Sequence, residues 1–187
     1  IGCSGLVCAG LFVVVGCFTC FPLHVVTGFG DELGIDAGEV TRLVFGSYEH
    51  DGDHPWHRLE RGEISLENAR DEILNLSLKR KLRVDIYELF AKMAGNNAGV
   101  ESKRPLVDKG RSSKGEGYKT GIITNNVMEF GEGWRGLIPV DELFDFVVDS
   151  SSVGVRKPDP RIFQIALEYL SDVAPEHIVF LDDYQAN

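Results

Sequence analysis

Apolar residues change their spacing along the chain, and the two spacings predict two kinds of element. Residues 11–15 form an unbroken apolar run rich in β-branched side chains, which is typical of a strand buried on both faces of a parallel sheet. Beyond it, apolar positions recur at helical spacing, as in the stripe formed by Val40, Leu43 and Val44. Similar stripes continue through residues 31–95, so we predict a helical segment there.

The second half of the chain shows a different pattern. Residues 96–117 are rich in turn-forming and polar residues, which indicates a loop region or a poorly ordered helix. Apolar runs at 120–124, 144–148 and 177–181 then predict strands, with an amphipathic helix at 159–170 before the last of them. Because strands that alternate with helices form parallel sheets, we predict an α/β, Rossmann-like fold.

The first 30 residues contain no Asp, Glu, Lys or Arg. Residues 1–26 are long enough to cross a bilayer, which takes about 20 apolar residues. Several glycines, Pro22 and the lack of a basic flank favour instead a segment that holds the first strand of the core. The predicted division is an apolar segment at 1–30, the helical segment at 31–95 and the core at 96–187, with a membrane anchor through 1–26 as the alternative.

All four cysteines lie in the apolar segment, at Cys3, Cys8, Cys17 and Cys20. The rest of the chain therefore cannot carry a disulfide framework. Cys17 and Cys20 have the C-x-x-C spacing of zinc and redox motifs, but a zinc ion needs two further ligands. We favour small apolar core residues over a metal site here.

Three histidines stand close together in the helical segment, at His50, His54 and His57. Their spacing could place metal ligands on one face of a helix. A glycine and a proline lie between them, and both residues oppose a continuous helix. We favour a substrate-facing loop in which Trp56 and Leu59 pack inward, and keep zinc as the alternative.

Charge limits the choice of partner. The net charge of −10 makes nucleic acid phosphates and anionic lipid surfaces poor partners, because like charges repel. A metal cation or a small molecule is a better match. With 43% hydrophobic residues the chain can form a packed interior, and we expect a cytoplasmic protein. The sequence does not indicate an oligomeric state.

Polar residues follow the predicted strands at their carboxyl ends. Thr124 and Asn125 end the second strand, and Asp182 and Asp183 follow the last one. Ligands of open α/β sheets bind beyond the carboxyl ends of the strands. Hydroxyl and amide groups suit phosphate oxygens, and paired carboxylates suit a divalent cation, so we expect these residues to meet at one edge of the sheet.

A lysine stands between the third and fourth strands in the stretch GVRKPDPRIF. Lys157 comes before Pro158, and Asp159 can cap the helix that follows, with Pro160 at its first position. This places an ammonium group beside a helix N-terminus. Both features favour an anion.

The order of these motifs resembles the haloacid dehalogenase superfamily of hydrolases. The resemblance covers residues 31–187 and is carried by GIITNN, GVRKPDPRIFQIAL and IVFLDDYQAN. Within the superfamily, the chain looks most like the phosphatase-type domains at the N-terminus of soluble epoxide hydrolase and in acyl-CoA dehydrogenase family member 10. The resemblance implies magnesium-dependent hydrolysis of a small phosphorylated molecule.

The resemblance also implies roles for the residues at the strand ends. Thr124, with Asn125, would hold an oxygen of the transferring phosphoryl group, and Asn187 would lie close to the phosphate. Lys157 would be the catalytic lysine that neutralises charge developing on that group.

The same resemblance implies a metal site and a cap. Asp183 would bind magnesium, with Asp182 beside it, because magnesium prefers oxygen ligands. The helical segment at 31–95 would be a cap, inserted after the first strand, that closes over the substrate.

The acid that starts the family's chemistry is missing. In the family, an Asp at the end of the first strand attacks phosphorus, and a second acid two residues later protonates the leaving group. If Val15 ends that strand, Gly16 takes the place of the nucleophile and Phe18 that of the acid. The first carboxylate in the chain is Asp31, within the helical segment. The magnesium site is therefore incomplete as well.

We accordingly expect a phosphatase-type hydrolase that is inactive or impaired in the sequence as given. The family continues beyond the fourth motif, so we also expect a core truncated at Asn187. A mispredicted gene product, a genuine noncatalytic relative and a fragment of a larger protein remain open explanations. The alternative functions are a noncatalytic phosphate-binding or interaction module and a membrane-anchored acidic domain.

Overall fold

The central element of the molecule is a parallel sheet. The computed structural model describes residues 8–12, 23–94, 104–131, 133, 135 and 138–182. The strands in these ranges are β1 Ala9–Phe12, β2 Lys119–Thr124, β3 Phe146–Asp149 and β4 Ile178–Leu181. They lie side by side in the order β3-β2-β1-β4, and each neighbouring pair is parallel. The predicted α/β, Rossmann-like fold is confirmed, and all four strands point their carboxyl ends to one edge.

The register of the sheet follows from its apolar residues. Ile122 and Ile123 of β2 are fully buried, one on each face. Phe12 of β1 pairs with Ile122 on one side and with Leu181 of β4 on the other. The ring of Phe146 occupies the space that a Cβ atom at position 121 would take, so Gly121 is needed there.

A layer of helices precedes β2 along the chain, and we call residues 23–94 the helical layer. Its helices are α1 Leu23–Leu33, α2 Ala37–Phe45, α3 Pro55–Glu60, α4 Leu66–Lys79 and α5 Ile86–Ala94. Asp36 and Ser65 cap α2 and α4 by accepting from the backbone N–H groups of Glu39 and Asn68.

The first helix begins at Leu23, eight residues before the predicted helical segment. Its buried side chains include Val25, Val26 and Phe29, which lie on one face and pack into the core of the layer. Thus part of the uncharged stretch that raised the membrane alternative is a packed amphipathic helix. Within the described ranges, no helix has both the length and the apolar character that a bilayer crossing requires.

The helical layer has its own hydrophobic core. Leu59, Ile73 and Leu89 have no exposed surface, and Trp56 is 6% exposed. Trp56 and Leu59 therefore pack inward as predicted, but they do so from the helix α3 and not from the predicted loop. Trp56 meets the ring of Phe45 edge-on, with centroids 5.0 Å apart. Such a pair adds specific geometry to the burial of apolar area.

The remaining helices pack on the two faces of the sheet. They are α6 Arg104–Gly115, α7 Val140–Leu143, α8 Ser150–Val153 and α9 Pro160–Tyr169. The helix α6 lies in the stretch for which we predicted a loop region or a poorly ordered helix. The helix α9 matches its prediction: Asp159 accepts from the backbone N–H of Arg161, and Ile162 and Ala166 are buried against the sheet.

Among the described residues, the contacts between the helical layer and the sheet half of the molecule include the following two. A carboxylate oxygen of Glu129, after β2, accepts from the backbone N–H of Leu66 at 2.6 Å. Gly62 lies against the backbone of Ser151, because a Cβ atom there would stand 2.6 Å from the Ser151 carbonyl oxygen. Gly62 also has a φ of +69°, so this close approach needs glycine for two reasons.

Candidate functional site

Asn125, the first residue after β2, holds the backbone of Lys157 with its side chain. Asn125 Oδ1 accepts from the backbone N–H of Lys157 at 2.8 Å, and Asn125 Nδ2 donates to the Lys157 carbonyl oxygen at 3.1 Å. The two residues are 32 positions apart in the chain. One amide side chain therefore replaces both hydrogen bonds that a neighbouring strand would give, and it ties the loop before α9 to the sheet edge.

The ammonium group of Lys157 reaches across the sheet edge to Asp182. Lys157 Nζ donates to Asp182 Oδ2 at 2.6 Å, and the two side chains are 2% and 6% exposed. The Phe180 ring lies beneath the ammonium group, with 5.7 Å from Nζ to the ring centroid. A buried pair of this kind keeps both charges in place because neither group can turn to water.

Thr124 is the last residue of β2 and is 3% exposed. Its hydroxyl donates to the Asn125 carbonyl oxygen at 3.4 Å, which is a weak hydrogen bond. The structure thus brings Asn125, Lys157 and Asp182 into direct contact, and Thr124 directly precedes Asn125. The strand ends are also linked on the other side, where Asn126 Nδ2 donates to Asp149 Oδ2 at 2.7 Å.

Several predicted site residues lie outside the described residues. These are Asp183, Asn187, Gly16, Phe18 and the cysteine pair Cys17 and Cys20. Among the described residues, no group of three His, Cys, Asp or Glu side chains is placed to hold a metal ion. Asp182, the described half of the predicted magnesium pair, accepts from Lys157 instead. The described residues alone therefore do not fit a magnesium ion.

Arg156 and Glu60 belong to the site region but were not predicted from the sequence. Arg156 has no exposed surface, and its Nε donates to Glu60 Oε2 at 2.7 Å. The other oxygen of Glu60 accepts from Trp56 Nε1 at 2.9 Å. This contact joins the helical layer to the residue that precedes Lys157. The sequence indicates only the local half of this network, because Glu60 stands four residues after Trp56 on the same helical face.

A second carboxylate, Asp51, lies beside this pair. Asp51 Oδ1 accepts from Arg61 Nη1 at 2.5 Å and from Arg156 Nη1 at 3.4 Å. His57 Nδ1 is 3.8 Å from the same oxygen. Together with Glu60 these residues form a cluster of five side chains: two acids, two guanidinium groups and an imidazole.

Burial controls ionisation in this cluster. Loss of water around the imidazole lowers the pKa of His57 to about 4, and the positive charge of Arg156 adds to the effect. Burial likewise lowers the pKa of His54. Burial raises the pKa of Glu60, while its contacts with Arg156 and Trp56 act in the opposite direction. His57 is therefore a neutral ring near pH 7.

The histidine motif does not form a metal site within the described residues. His54 caps α3, where its Nδ1 accepts from the backbone N–H of Trp56 at 3.2 Å. The rings of His54 and His57 lie 5.5 Å apart. His57 is 2% exposed, whereas His50 lies on the surface. Capping and packing thus explain two of the three histidines.

Comparison with known sequences supports the resemblance. The family model for haloacid dehalogenase-like hydrolase matches residues 68–186. Acyl-CoA dehydrogenase family member 10 of Mus musculus is 30% identical over 184 residues, 96% of this chain and 16% of its own length. Bifunctional epoxide hydrolase 2 of Mus musculus is 34% identical over 88 residues, 45% of this chain and 16% of its own length. The chain thus matches only a small part of these relatives.

A pyrophosphatase PpaX of Bacillus cereus is 37% identical over 84 residues, 45% of this chain and 38% of its own length. The fold matches a predicted HAD-like family hydrolase from Porphyromonas gingivalis, with a TM-score of 0.64, 19% identity, and coverage of 98% of this chain and 85% of that one. It also matches a HAD family enzyme from Bacteroides thetaiotaomicron in complex with magnesium and inorganic phosphate, with a TM-score of 0.60, 18% identity, and coverage of 96% and 86%.

The family model spans more than half of the chain, and it includes β2, β3, β4 and the loop that carries Lys157. The order of motifs at the strand ends, the parallel sheet and the sequence relatives all agree with it. The resemblance on which the predicted site was based is therefore confirmed, and this chain is a member of the haloacid dehalogenase-like hydrolases.

Proposed function

We propose that this chain carries the phosphate-binding half of a phosphomonoester hydrolase site and that the sequence as given turns substrate over slowly or not at all. The contact between Lys157 Nζ and Asp182 Oδ2 at 2.6 Å, at the carboxyl edge of the sheet, is the observation that carries the proposal. It provides a buried, fixed ammonium group where ligands of parallel sheets bind. The proposed ligand is the phosphoryl group of a small molecule.

Two of the similar proteins are linked to phosphoryl groups, which supports a phosphoryl ligand for this chain. One is a pyrophosphatase, and one solved neighbour is a complex with magnesium and inorganic phosphate. Their activities belong to those proteins. What supports the transfer to this chain is its own set of polar groups at the strand ends, in the order that the family uses.

Each described residue has a proposed part in binding. Lys157 would donate to a phosphoryl oxygen and neutralise its charge, and Asp182 would hold the ammonium group in place until the ligand arrives. Thr124 would turn its hydroxyl from the weak contact with the Asn125 carbonyl to a phosphoryl oxygen. Asn125 would keep the Lys157 backbone fixed meanwhile. These groups position an anion but supply no nucleophile.

Few of the ligands that magnesium would need are present in this chain. Its predicted ligand Asp183 lies outside the described residues, and Asp182 is engaged with Lys157. The sequence offers no acid before Asp31, so the carboxylate that the family supplies from the first strand is missing. Magnesium would supply positive charge for phosphoryl oxygens when bound. We expect it to bind this chain only weakly.

Calorimetry with inorganic phosphate tests the binding half of the proposal. We expect heat of binding at millimolar phosphate that Lys157→Ala abolishes, because the variant loses the ammonium group. The matched control is Lys119→Ala, since Lys119 makes a surface ion pair with Asp172 far along β2 from the strand end. This control should bind phosphate like the original chain. Absence of heat in the original chain would overturn the proposal and leave a fold without a ligand site.

An aryl phosphate assay with magnesium tests the catalytic half. We expect no turnover above background, because no acid stands in the sequence around the first strand to attack phosphorus. Turnover that disappears in Lys157→Ala would show that the chain is an active phosphatase and that another group serves as nucleophile.

A further inference from the structure

Two buried cations stand next to each other in the chain where the helical layer meets the sheet. Arg156 is 0% exposed and Lys157 is 2% exposed. Burial removes the water that would stabilise each charge, so each needs a fixed counter-charge. Lys157 has Asp182 from the sheet, and Arg156 has Glu60 from the helical layer. The two counter-charges thus approach this dipeptide from different parts of the fold.

Glu60 is held more firmly than an ordinary ion-pair partner. Trp56 Nε1 donates to Oε1 at 2.9 Å, and Arg156 Nε donates to Oε2 at 2.7 Å. Because both oxygens are engaged, rotation of the carboxylate would break at least one bond. Trp56 itself is fixed by its edge-on contact with Phe45, 5.0 Å between centroids. Glu60 also lies close enough for the Lys157 charge to stabilise its ionised form.

We propose that Glu60 and Arg156 are positioning residues for Lys157. Glu60, from the helical layer, holds the Arg156 side chain and so fixes the backbone on the N-terminal side of Lys157, while Asn125 fixes the backbone of Lys157 from the sheet. The ammonium group is left with little freedom except toward Asp182 and the strand ends. The site function of Lys157 rests on the proposed function, but the position of its ammonium group can be measured without any ligand.

The Glu60 and Arg156 pair can position Lys157 without stabilising the fold. A buried ion pair contributes little net stability against apolar groups of similar size, because desolvation offsets the attraction. The Glu60 and Arg156 pair therefore need not raise the stability of the fold to be useful. It places one charge of the helical layer against the loop that carries Lys157, so loss of this charge would free the lysine even where the layer stays in place.

The test is the rate of reductive methylation at each lysine of the full chain, measured with isotopically labelled formaldehyde and peptide mass spectrometry. Lys119, whose side chain is 41% exposed, serves as the reference within each molecule. We expect Lys157 to react far more slowly than Lys119. The variant Glu60→Gln should raise the relative rate at Lys157 about tenfold, the effect of losing one hydrogen bond between charged groups. Glutamine keeps the shape and can still accept from Trp56.

Two further variants separate positioning from loosening of the layer. Gly62→Ala forces a Cβ atom against Ser151 in the same interface but leaves the ion pairs unchanged, so it should lower the melting temperature without accelerating methylation of Lys157. The double variant Glu60→Leu with Arg156→Met should melt near the original temperature and still methylate faster at Lys157.

Unchanged methylation in Glu60→Gln and in the double variant would overturn the proposal, as would equal acceleration by Gly62→Ala. Phosphate calorimetry on the same variants gives an independent reading, with weaker binding expected for Glu60→Gln. If the original chain binds no phosphate, the proposed function fails, while the methylation rates still decide whether Glu60 and Arg156 position Lys157.

Discussion

At the scale of single residues, His57 shows how the buried charges shape the site region. The residue is 2% exposed and lies beside Arg156, Arg61, His54 and Asp51. Burial and the nearby positive charges oppose a further proton, and the Asp51 carboxylate only partly offsets them. The folded protein therefore binds this proton less readily than the unfolded chain does.

This arrangement predicts a stability that depends on pH. The pKa of His57 falls from 6.5 in the unfolded chain to about 4 in the folded one. Its contribution is complete above pH 6.5 and is lost as the pH falls toward 4, because the unfolded state takes up the proton first. We expect a loss of roughly 3 kcal/mol from this group, measured by urea unfolding across that range. In His57→Gln this part of the pH dependence should vanish, and an unchanged profile would contradict the prediction.

Much of the candidate site could be predicted from single residues, because motif residues at strand ends are close in the fold by topology. Asn125, Lys157 and Asp182 were expected at one edge, and the structure places them in direct contact. Arg156 and Glu60 were missed because they are 96 positions apart in the chain, and no local pattern pairs them. A buried ion pair between layers depends on packing that the sequence does not display.

At the scale of elements, the N-terminus of α4 is satisfied by two parts of the fold. The Ser65 hydroxyl accepts from the backbone N–H of Asn68 at 3.2 Å, and Glu129 accepts from that of Leu66 at 2.6 Å. The first turn of a helix has N–H groups without partners inside the helix. Here the cap residue covers one of them, and the loop after β2 covers another.

We therefore predict that Ser65→Ala lowers the free energy of unfolding by about 1 kcal/mol. The lost hydroxyl leaves the N–H of Asn68 without its acceptor at the helix start. Chemical denaturation measures the change, and Ser65→Asp is the matched control, since a carboxylate oxygen can accept in the same place. Equal losses in the two variants would show that the capping bond does not explain the effect.

Helices differ in how well the sequence predicted them, and the difference has a physical cause. The helix α9 has an acidic cap, a proline at its first position and a clear apolar stripe, so all signals agree. The start of α1 was missed because the apolar side chains before Asp31 have no charged neighbours to reveal their period. The helix α6 was left open between loop and helix because glycines and serines within it have weak helix propensity.

At the scale of the whole molecule, the strand order brings the first strand between the two strands that carry site residues. The strand β1 lies between β2, which ends at Thr124, and β4, which Asp182 follows. A nucleophile following β1 would therefore stand at the centre of the edge that the other groups surround. The sequence has apolar residues at this point: Phe12 pairs with Leu181, and Val13 follows Phe12 in the chain.

Under the proposed function, acids introduced after β1 should give turnover, because the groups at the ends of β2 and β4 already surround that position. We predict that Val13→Asp with Val15→Asp raises hydrolysis of an aryl phosphate in the presence of magnesium by about 100-fold or more, the low end for positioned acid and base groups. The amide pair Val13→Asn with Val15→Asn is the control, because it matches polarity without a nucleophile.

Placing the acids at Gly16 and Phe18 instead tests the alternative strand end. The described part of β1 ends at Phe12, so we expect the placement at Val13 and Val15 to gain activity and this one not to. The active variant should lose its turnover again when Lys157→Ala is added, since under the proposed function the ammonium group of Lys157 neutralises the phosphoryl oxygens. If neither placement gains turnover, the missing acid is not the only reason for the inactivity. Phosphate binding would then be the part of the proposed function that remains to be tested by itself. Steady-state kinetics of all four variants distinguish these outcomes, because the variants differ only at the named positions.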